Sequence, residues 1–448
     1  MKKVIFFISL LSSILLTNCK KESFVATFDK TPQQRMSEQI KLVSDELTGA
    51  ENGWIGLLPT LSGGGYSFYF TFDKEQYVNM YADLTDESAS NFAPSRYRVK
   101  ADMGADLVFD TYNYITLLND PDESAFGGVI RDGFKSDIDF IYDHSSDDSI
   151  VFIGKRYRQP LIMIKASSEE ASAYKNGELL TSMNDFKSFF TENANAYVEL
   201  EDGTKASIEP NSSNSLTSGK RITFTALKDD GTVNATVAKF AFTIHQMALL
   251  DSGASIGEVN FRKLAWKNES TLAAYSASGK EYIVKNNPTP ILPLFRLWGS
   301  KYSGLVSSYK QINPGTSPDG AEILNYFHDN LDNHAGLLGY PFNAGKITLA
   351  WDVINKRLKF QGFSSQDGGN SGWTTEIAYD YTVDETGVFT FTLRSAASGG
   401  YVGNIMTKLD DFLQNNTVSF DYYIDNGQVY GQMKSVENPN ITMSFELQ

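Results

Sequence analysis

Alternation of side chains with a period of two residues is the feature that most restricts what this chain can fold into. Between residues 66 and 72, aromatic residues occupy every second position. This predicts a β-strand, because successive side chains of a strand point to opposite faces. Residues 73–76 then predict a turn, and residues 77–83 predict the second strand of a hairpin.

Similar short strands recur along the whole chain, separated by clusters of Asp, Gly and Ser. Aromatic residues make up 13% of the sequence and glycines number 35, which also favours strands and turns. The spacing predicts a mainly β (α+β) fold with two antiparallel β-barrel or sandwich-like domains, each with one or two short helices. Strands are expected at residues 96–100, 106–118, 137–142, 149–154, 161–165, 197–200, 221–226, 239–245, 257–265, 281–284, 376–382 and 388–394, a hairpin at 346–363, and closing strands up to residue 447.

Helices and a domain boundary interrupt this pattern. Thr31 can cap a first helix and Pro32 suits its first turn, while either Gly49 or Asn52-Gly53 is expected to end it. Further helices are expected at residues 183–193, 318–331 and 404–414. Three prolines between residues 286 and 293 resist both helix and strand ladder. We therefore predict domains at 32–287 and 295–448.

A short internal similarity suggests that the two domains share a plan. Residues 183–203 and 408–427 each combine an Asp-Phe pair on a predicted helix with a strand that ends in a turn. The similarity leaves a true duplication and a chance match equally open.

The N-terminus has the form of an export signal. Met1-Lys2-Lys3 is followed by an uncharged run from residue 4 to residue 16 and then by Cys19. As a helix this run spans about 20 Å, which is short of the roughly 30 Å needed to cross a bilayer. Residues 1–18 are thus predicted as a signal peptide and residues 19–31 as a tether.

The only cysteine lies where such a signal is cleaved. Leu16-Thr17-Asn18-Cys19 resembles the lipobox of bacterial lipoproteins, although that family prefers a smaller residue at the position of Asn18. The resemblance implies that Cys19 carries a lipid that anchors the chain to the outer membrane, with the alternative of an unlipidated secretory protein. Lys20-Lys21-Glu22 leaves open which face of the membrane displays it.

Seven motifs are spread over the first part of the chain: Gly53-Trp54, the run 65–70, Ser95-Arg96-Tyr97, the run 107–113, Asp120-Pro121, the run 137–140 and the run 150–155. Their order resembles an uncharacterised Bacteroidota lipoprotein family, the domain-of-unknown-function family 4302. The resemblance implies an envelope lipoprotein of the kind commonly encoded beside outer-membrane nutrient-uptake systems with their lipoprotein partners, and it implies no catalytic residue.

Charge and motif searches exclude several functions. Lys and Arg number 39 against 54 Asp and Glu, a net charge of −15, which argues against a nucleic-acid partner. Ser307 and Lys310 fit the Ser-x-x-Lys pattern of penicillin-recognising enzymes, but the companion motifs of those enzymes are missing from the sequence. The four histidines are expected to have solvated or capping roles. The acidic turns 147–148 and 229–231 do not fit a calcium-binding loop. No metal, cofactor or catalytic residue is predicted.

Tryptophans supply the only candidate binding residues. Trp54 is expected to pack the first helix onto the sheet. Trp266, Trp298 and Trp351 are predicted to lie in the hydrophobic core. Trp373 differs, because it follows the polar, glycine-rich segment 364–372. A ligand-binding loop would use its ring for stacking and Gln366, Asp367 and Asn370 for orientation. The alternative is a hairpin loop that caps a barrel mouth.

These features favour a non-enzymatic lipoprotein that acts as a binding or accessory subunit of a glycan or peptide uptake system. The alternatives are a lipoprotein hydrolase acting on glycan or peptide and a purely structural envelope protein. Converging carboxylates of shifted pKa in a cleft would favour the hydrolase, whereas an aromatic-lined barrel mouth would favour the binding protein.

Overall fold

The computed structural model describes residues 30–227, 232–333 and 336–448. Their antiparallel strands form a closed eight-stranded barrel, a ten-stranded sheet and a second closed eight-stranded barrel. We name these the N-terminal barrel, the middle sheet and the C-terminal barrel. The mainly β, antiparallel fold expected from the sequence is confirmed. The segment predicted as one N-terminal domain contains two of the three sheets, and its division from the C-terminal segment remains a prediction.

The N-terminal barrel closes where its first strand pairs with its eighth, with Trp54 opposite Lys165. Inward aromatic side chains fill it, among them Phe68 and Phe70, whose rings stack with centroids 5.4 Å apart. Its strands are β1 Trp54–Pro59, β2 Gly65–Phe72, β3 Tyr77–Ala82, β4 Ala93–Ala101, β5 Ala105–Phe109, β6 Asp139–Ser145, β7 Ser149–Gly154 and β8 Pro160–Lys165.

The strands of the middle sheet are β9 Ala196–Glu199, β10 Lys205–Asn211, β11 Arg221–Leu227, β12 Val233–Phe242, β13 Gln246–Leu249, β14 Ala254–Ile256, β15 Val259–Asn268, β16 Thr271–Ser276, β17 Glu281–Ile283 and β18 Lys285–Asn286. They follow the order β17-β16-β15-β13-β12-β11-β10-β9-β18, and β14 pairs with β15.

The C-terminal barrel closes between its first and last strands, with Leu305 opposite Leu447. Its buried hydrophobic cluster contains only residues from Leu294 onward. The strands are β19 Gly304–Ser308, β20 Ala344–Asp352, β21 Arg357–Ser365, β22 Trp373–Val383, β23 Val388–Ser398, β24 Val418–Asp425, β25 Gln428–Ser435 and β26 Thr442–Leu447.

Short helices accompany each sheet. The described α-helices are α1 Pro32–Gly49, α2 Asp86–Ser90, α3 Tyr114–Leu117, α4 Glu123–Phe126, α5 Ser168–Lys175, α6 Glu178–Glu192, α7 Pro318–Asn330 and α8 Thr407–Asn415, with 3-10 turns at Leu294–Arg296 and Gly403–Ile405. None of the helices among these residues is both long and apolar enough to span a bilayer.

Helix α1 has the ends that the sequence predicted. The Thr31 hydroxyl accepts the backbone N–H of Gln34, and the Gln34 side chain accepts the Thr31 N–H, so two free donors of the first turn are satisfied. Trp54 is buried and its indole N–H donates to the Leu47 carbonyl at 3.0 Å. The prediction that Trp54 packs this helix onto the sheet is confirmed.

The strand predicted at residues 106–118 is wrong beyond Phe109, where β5 ends. Asn113 stops the extended chain, because its side-chain oxygen accepts the N–H groups of Ile115 and Thr116 at 3.0 Å each. Helix α3 begins at that cap. The apolar run that resembled a strand is therefore a strand, a turn and one helical turn.

A shared core and a buried ion pair join the N-terminal barrel to the middle sheet. The Asp83 carboxylate accepts the N–H groups of Ser67 at 2.8 Å and Phe242 at 2.7 Å, and it pairs with the Lys220 ammonium. Tyr69 of β2 stacks on Tyr174 of α5 with centroids 4.6 Å apart. Both faces of β2 are consequently buried over most of its length.

Two expectations concern the ends and the repeats of the chain. The signal peptide, Cys19 and the tether up to residue 29 lie outside the described residues. The two similar segments both form a helix followed by a strand, α6 then β9 and α8 then β24. The first belongs to the middle sheet and the second to the C-terminal barrel, so the duplication remains open.

Candidate ligand-binding surface

Four aromatic residues meet at one end of the C-terminal barrel. Tyr340 and Phe342 precede β20, Trp373 begins β22, and Tyr401 follows β23. Tyr340, Trp373 and Tyr401 are 54%, 42% and 49% exposed, whereas Phe342 is 3% exposed. We call these four residues the aromatic patch, because three of them present ring surface to solvent above a buried fourth ring.

Tyr401 lies at the centre of the patch. Its ring centroid is 5.5 Å from that of Tyr340 and 5.4 Å from that of Trp373, with interplanar angles of 75° and 80°. Phe342 lies 6.3 Å from Tyr401 and 6.1 Å from Trp373. Edge-to-face contacts at these distances are favourable, so the exposed rings support each other in a defined arrangement.

Side-chain amides fix the segments that carry the patch. Asn404 donates to the Leu337 carbonyl at 3.0 Å. Asn343 donates to the Gln366 carbonyl at 2.9 Å and accepts the Gly368 N–H at 3.0 Å. The segment before β20 and the loop before β22 are thereby tied together.

The three polar residues predicted beside Trp373, namely Gln366, Asp367 and Asn370, form hydrogen bonds with neighbouring groups of the protein itself. The Gln366 amide donates to the Pro341 carbonyl at 3.1 Å, and the Asn370 amide donates to the Asp367 carbonyl at 2.8 Å. The Asp367 carboxylate accepts the Ser365 hydroxyl and both the hydroxyl and N–H of Ser371.

These bonds give the three polar residues a supporting role. The Ser371 and Ser365 donors lower the pKa of Asp367 to about 2, so its carboxylate is charged at neutral pH. Of the four residues predicted to bind ligand, Trp373 is the one that the structure brings into the aromatic patch.

Sequence reasoning missed Tyr340 and Tyr401, which are distant from Trp373 along the chain. A local signal was present, since Tyr340 lies between Gly339 and Pro341, and Tyr401 follows Gly399 and Gly400. Glycine and proline are typical of turns and loops, so an aromatic residue beside them in a polar segment is a candidate for an exposed ring. The same signal had identified Trp373 after Gly372.

An acidic cluster in the N-terminal barrel was also missed. Asp102, Asp106 and Asp139 have carboxylate oxygens within 4.8 Å of one another. The Lys155 ammonium pairs with Asp102, lies 3.5 Å from Asp106 and 3.4 Å from Asp139, and Lys100 lies 3.5 Å from Asp139. Burial raises the pKa of Asp106, and the two lysines offset most of the charge that a metal ion would otherwise neutralise.

One histidine corrects the prediction that all four are solvated or capping. His328 is fully buried, and its Nε2 lies 3.0 Å from the hydroxyl of Ser307, which is also fully buried. Ser307 is the serine of the Ser-x-x-Lys pattern, and Lys310 lies 4.0 Å from Asp332. His144 and His245 are exposed, while His334 and the turn at 229–231 lie outside the described residues.

The other tryptophan predictions hold. Trp298 and Trp351 are buried and stack with centroids 4.1 Å apart inside the C-terminal barrel. Trp266 is partly buried against Phe186 and Phe189 of α6. The 42% exposure of Trp373 thus distinguishes it from Trp54, Trp298 and Trp351, which are buried, and from Trp266, which is partly buried.

Fold and surface together define a protein of three antiparallel sheets with an aromatic patch on the second barrel. The chain belongs to the family described as a domain of unknown function, DUF4302, whose model matches residues 26–268. That segment spans the N-terminal barrel and most of the middle sheet, so the aromatic patch lies outside it. No curated protein matches the chain significantly.

Proposed function

We propose that this protein is a lipid-anchored outer-membrane protein of Bacteroidota that binds a neutral glycan through the aromatic patch. It acts as a binding or accessory subunit of a nutrient-uptake system. The observation that carries the proposal is the group of three exposed aromatic rings supported by Phe342.

The patch offers what a sugar ring requires. Flat aromatic surface packs against the apolar face of a sugar, and nearby polar groups fix its orientation. The hydroxyls of Tyr340 and Tyr401 make no hydrogen bond to the described residues. They are therefore available to sugar hydroxyls, while the net charge of −15 disfavours polyanionic glycans.

The hydrolase alternative has one observation in its favour, the acidic cluster of Asp102, Asp106 and Asp139. Hydrolysis of a glycoside needs one carboxylic acid and one carboxylate that both face the substrate. In the cluster, Lys155 contacts all three carboxylates. Because the lysine already occupies the space between them, we favour the binding function.

Substitution in the patch tests the binding half of the proposal. Tyr401→Ala and Trp373→Ala should each weaken binding of neutral oligosaccharides by about 1 to 3 kcal/mol, or roughly fivefold to 150-fold, by analogy with the loss of a base stacked on an aromatic ring. Binding would be measured by isothermal titration calorimetry with maltose, cellulose, xylan and mannan oligosaccharides.

Tyr112→Ala is the matched control, because Tyr112 is 66% exposed on the N-terminal barrel, away from the patch. It should leave binding unchanged. Binding of unstructured peptides with the same loss in Tyr401→Ala would replace glycan by peptide as the ligand. If neither class binds the full-length chain, the binding function is wrong.

The anchor has its own test. Replacing Cys19→Ala removes the only thiol that can carry the lipid. We expect loss of labelling by an alkyne-tagged fatty acid and recovery of the chain in the soluble fraction or as an unprocessed precursor, because acyl chains contribute about 0.8 kcal/mol per buried methylene to membrane binding. Unchanged mature mass and membrane retention in this variant would contradict the anchor.

A further inference from the structure

A groove lies on the outer face of the C-terminal barrel, beside the aromatic patch. Its volume is about 690 Å³, within the range of about 300 to 1,000 Å³ typical of ligand sites. Lys346, Phe363 and Thr374 line it from three neighbouring strands, and they share the outer face because Lys346 pairs with Phe363 and Phe363 with Thr374. We call it the outer groove.

The groove presents polar groups around an aromatic ring. Tyr309, Thr348 and Thr374, which carry hydroxyls, line it together with Phe363. The ammonium of Lys346 makes no ion pair or hydrogen bond to the described residues, although acids outnumber basic residues in the chain. An ammonium without a partner among the described residues, together with several hydroxyl-bearing side chains, fits a ligand rich in oxygen acceptors.

The patch and the groove meet at the rim of the barrel. Trp373 of the patch and Thr374 of the groove are consecutive residues of β22, so their side chains point to opposite faces of the strand, and a ligand that contacts both passes over the rim. Only Asn343 separates Phe342 of the patch from Ala344 of the groove. Between them lie Gly368 and Gly369, which line the groove with φ of +76° and +100°. Residues with a Cβ rarely adopt this backbone conformation, so glycine is favoured at both positions. Without side chains, the loop leaves room for a ligand to cross it.

We infer that the aromatic patch and the outer groove are two parts of one site, which binds an extended neutral oligosaccharide rather than a single sugar or a disaccharide. One part of the glycan stacks on Trp373 and Tyr401. The chain then crosses the glycine loop and enters the groove, where Lys346 and the threonine hydroxyls bind its hydroxyl groups. This inference rests on the proposed function.

Length dependence of binding tests the inference. Calorimetry on the full-length chain would compare the two-unit and six-unit members of the maltose, cellulose, xylan and mannan series. For the series that binds, we expect the six-unit member to bind at least about tenfold more tightly, because only it reaches the groove. Equal affinities per molecule for both lengths would overturn the inference and leave the proposed function intact.

Two lysine variants sharpen this result. Lys346→Met should reduce the affinity ratio of the six-unit to the two-unit member by about tenfold, as expected for loss of a hydrogen bond to a charged group. Lys434→Met, on the exposed side of β25 outside the groove, should leave the ratio unchanged. An unchanged ratio in Lys346→Met would also overturn the inference. Absence of binding by all four series would overturn the inference and the glycan function together.

Discussion

The two closed barrels have the same number of strands but use their outer surfaces differently. The N-terminal barrel buries the outer face of β2 against α5 and the middle sheet, through Tyr69 and the Asp83–Lys220 pair. The C-terminal barrel keeps its own buried cluster and presents the aromatic patch and the outer groove to solvent. Closure removes sheet edges in both barrels, so the outer faces are free to serve either packing or recognition.

The difference between the two barrels can be tested first by expressing each barrel as a separate fragment. Residues 294–448 should fold alone with a cooperative thermal transition, because their core is self-contained and about 150 residues can bury roughly 68 to 70% of their unfolded surface. Residues 30–167 should not, since Tyr69 and Tyr81 would lose the middle sheet that covers them.

Circular dichroism and calorimetry would measure both fragments. A C-terminal fragment without a cooperative transition would show that its strands depend on the rest of the chain. In that case the predicted division at residues 288–294 is wrong, and the contrast between a supported and an independent barrel fails.

The buried ion pair sharpens the comparison at a smaller scale. Burial raises the pKa of Asp83 and lowers the pKa of Lys220, whereas the attraction between the two groups opposes both shifts. Lys220→Met leaves the Asp83 carboxylate buried without its cation and should destabilise the protein by about 3 to 5 kcal/mol. Urea denaturation would measure the loss.

Lys267→Met is the matched control, because Lys267 and Glu281 form a partly exposed pair at 2.6 Å. Its loss should cost no more than about 1 kcal/mol. Adding Asp83→Asn to Lys220→Met should restore part of the lost stability, since the buried charge is removed. Equal losses in the two lysine variants would mean that the joint between barrel and middle sheet does not depend on this ion pair.

The comparison also explains how far the sequence could predict the structure. Strands, turns and the first helix follow from local rules, since the alternation around Phe68 and the cap at Thr31 act within a few residues. Burial of the outward residues Ser67 and Tyr69 could not be predicted, because it depends on a sheet more than a hundred residues away. A strand that is buried on one face and a strand that is buried on both faces have similar sequence patterns when the second face contains Ser, Tyr and Thr.

The candidate site divides in the same way. Trp373 could be found from its glycine-rich loop, but its neighbours Tyr340 and Tyr401 come from segments that only barrel closure brings together. The bonds that turn Asp367 and Asn370 toward their own loop are likewise a result of its folded geometry. Residue types at one position indicate chemistry, whereas their combination into a patch depends on topology.

Acid sensitivity is the last way to separate the two barrels. His328 is buried in the C-terminal barrel, and desolvation lowers its pKa to about 4 from an ordinary value near 6.5. Asp329 opposes this shift and Lys310 adds to it. The N-terminal barrel carries one histidine, His144, and it is exposed beside Asp143.

The direction in which stability changes with pH depends on whether the folded or the unfolded chain binds the proton of His328 first. Between pH 6.5 and 4 the unfolded chain protonates His328 and the folded chain does not, so the stabilising contribution is complete above pH 6.5 and is lost as the pH falls toward 4. The free energy of unfolding should fall by about 2 to 3 kcal/mol as the pH drops from 6.5 to 4.

His328→Gln, which can keep a hydrogen bond to Ser307, should lose correspondingly less stability over this range than the unsubstituted chain. His144→Gln should follow the unsubstituted chain, and urea denaturation at each pH, monitored by tryptophan fluorescence, would measure all three. If His328→Gln and the unsubstituted chain lost stability in parallel, the buried imidazole would not be the group that makes the C-terminal barrel sensitive to acid.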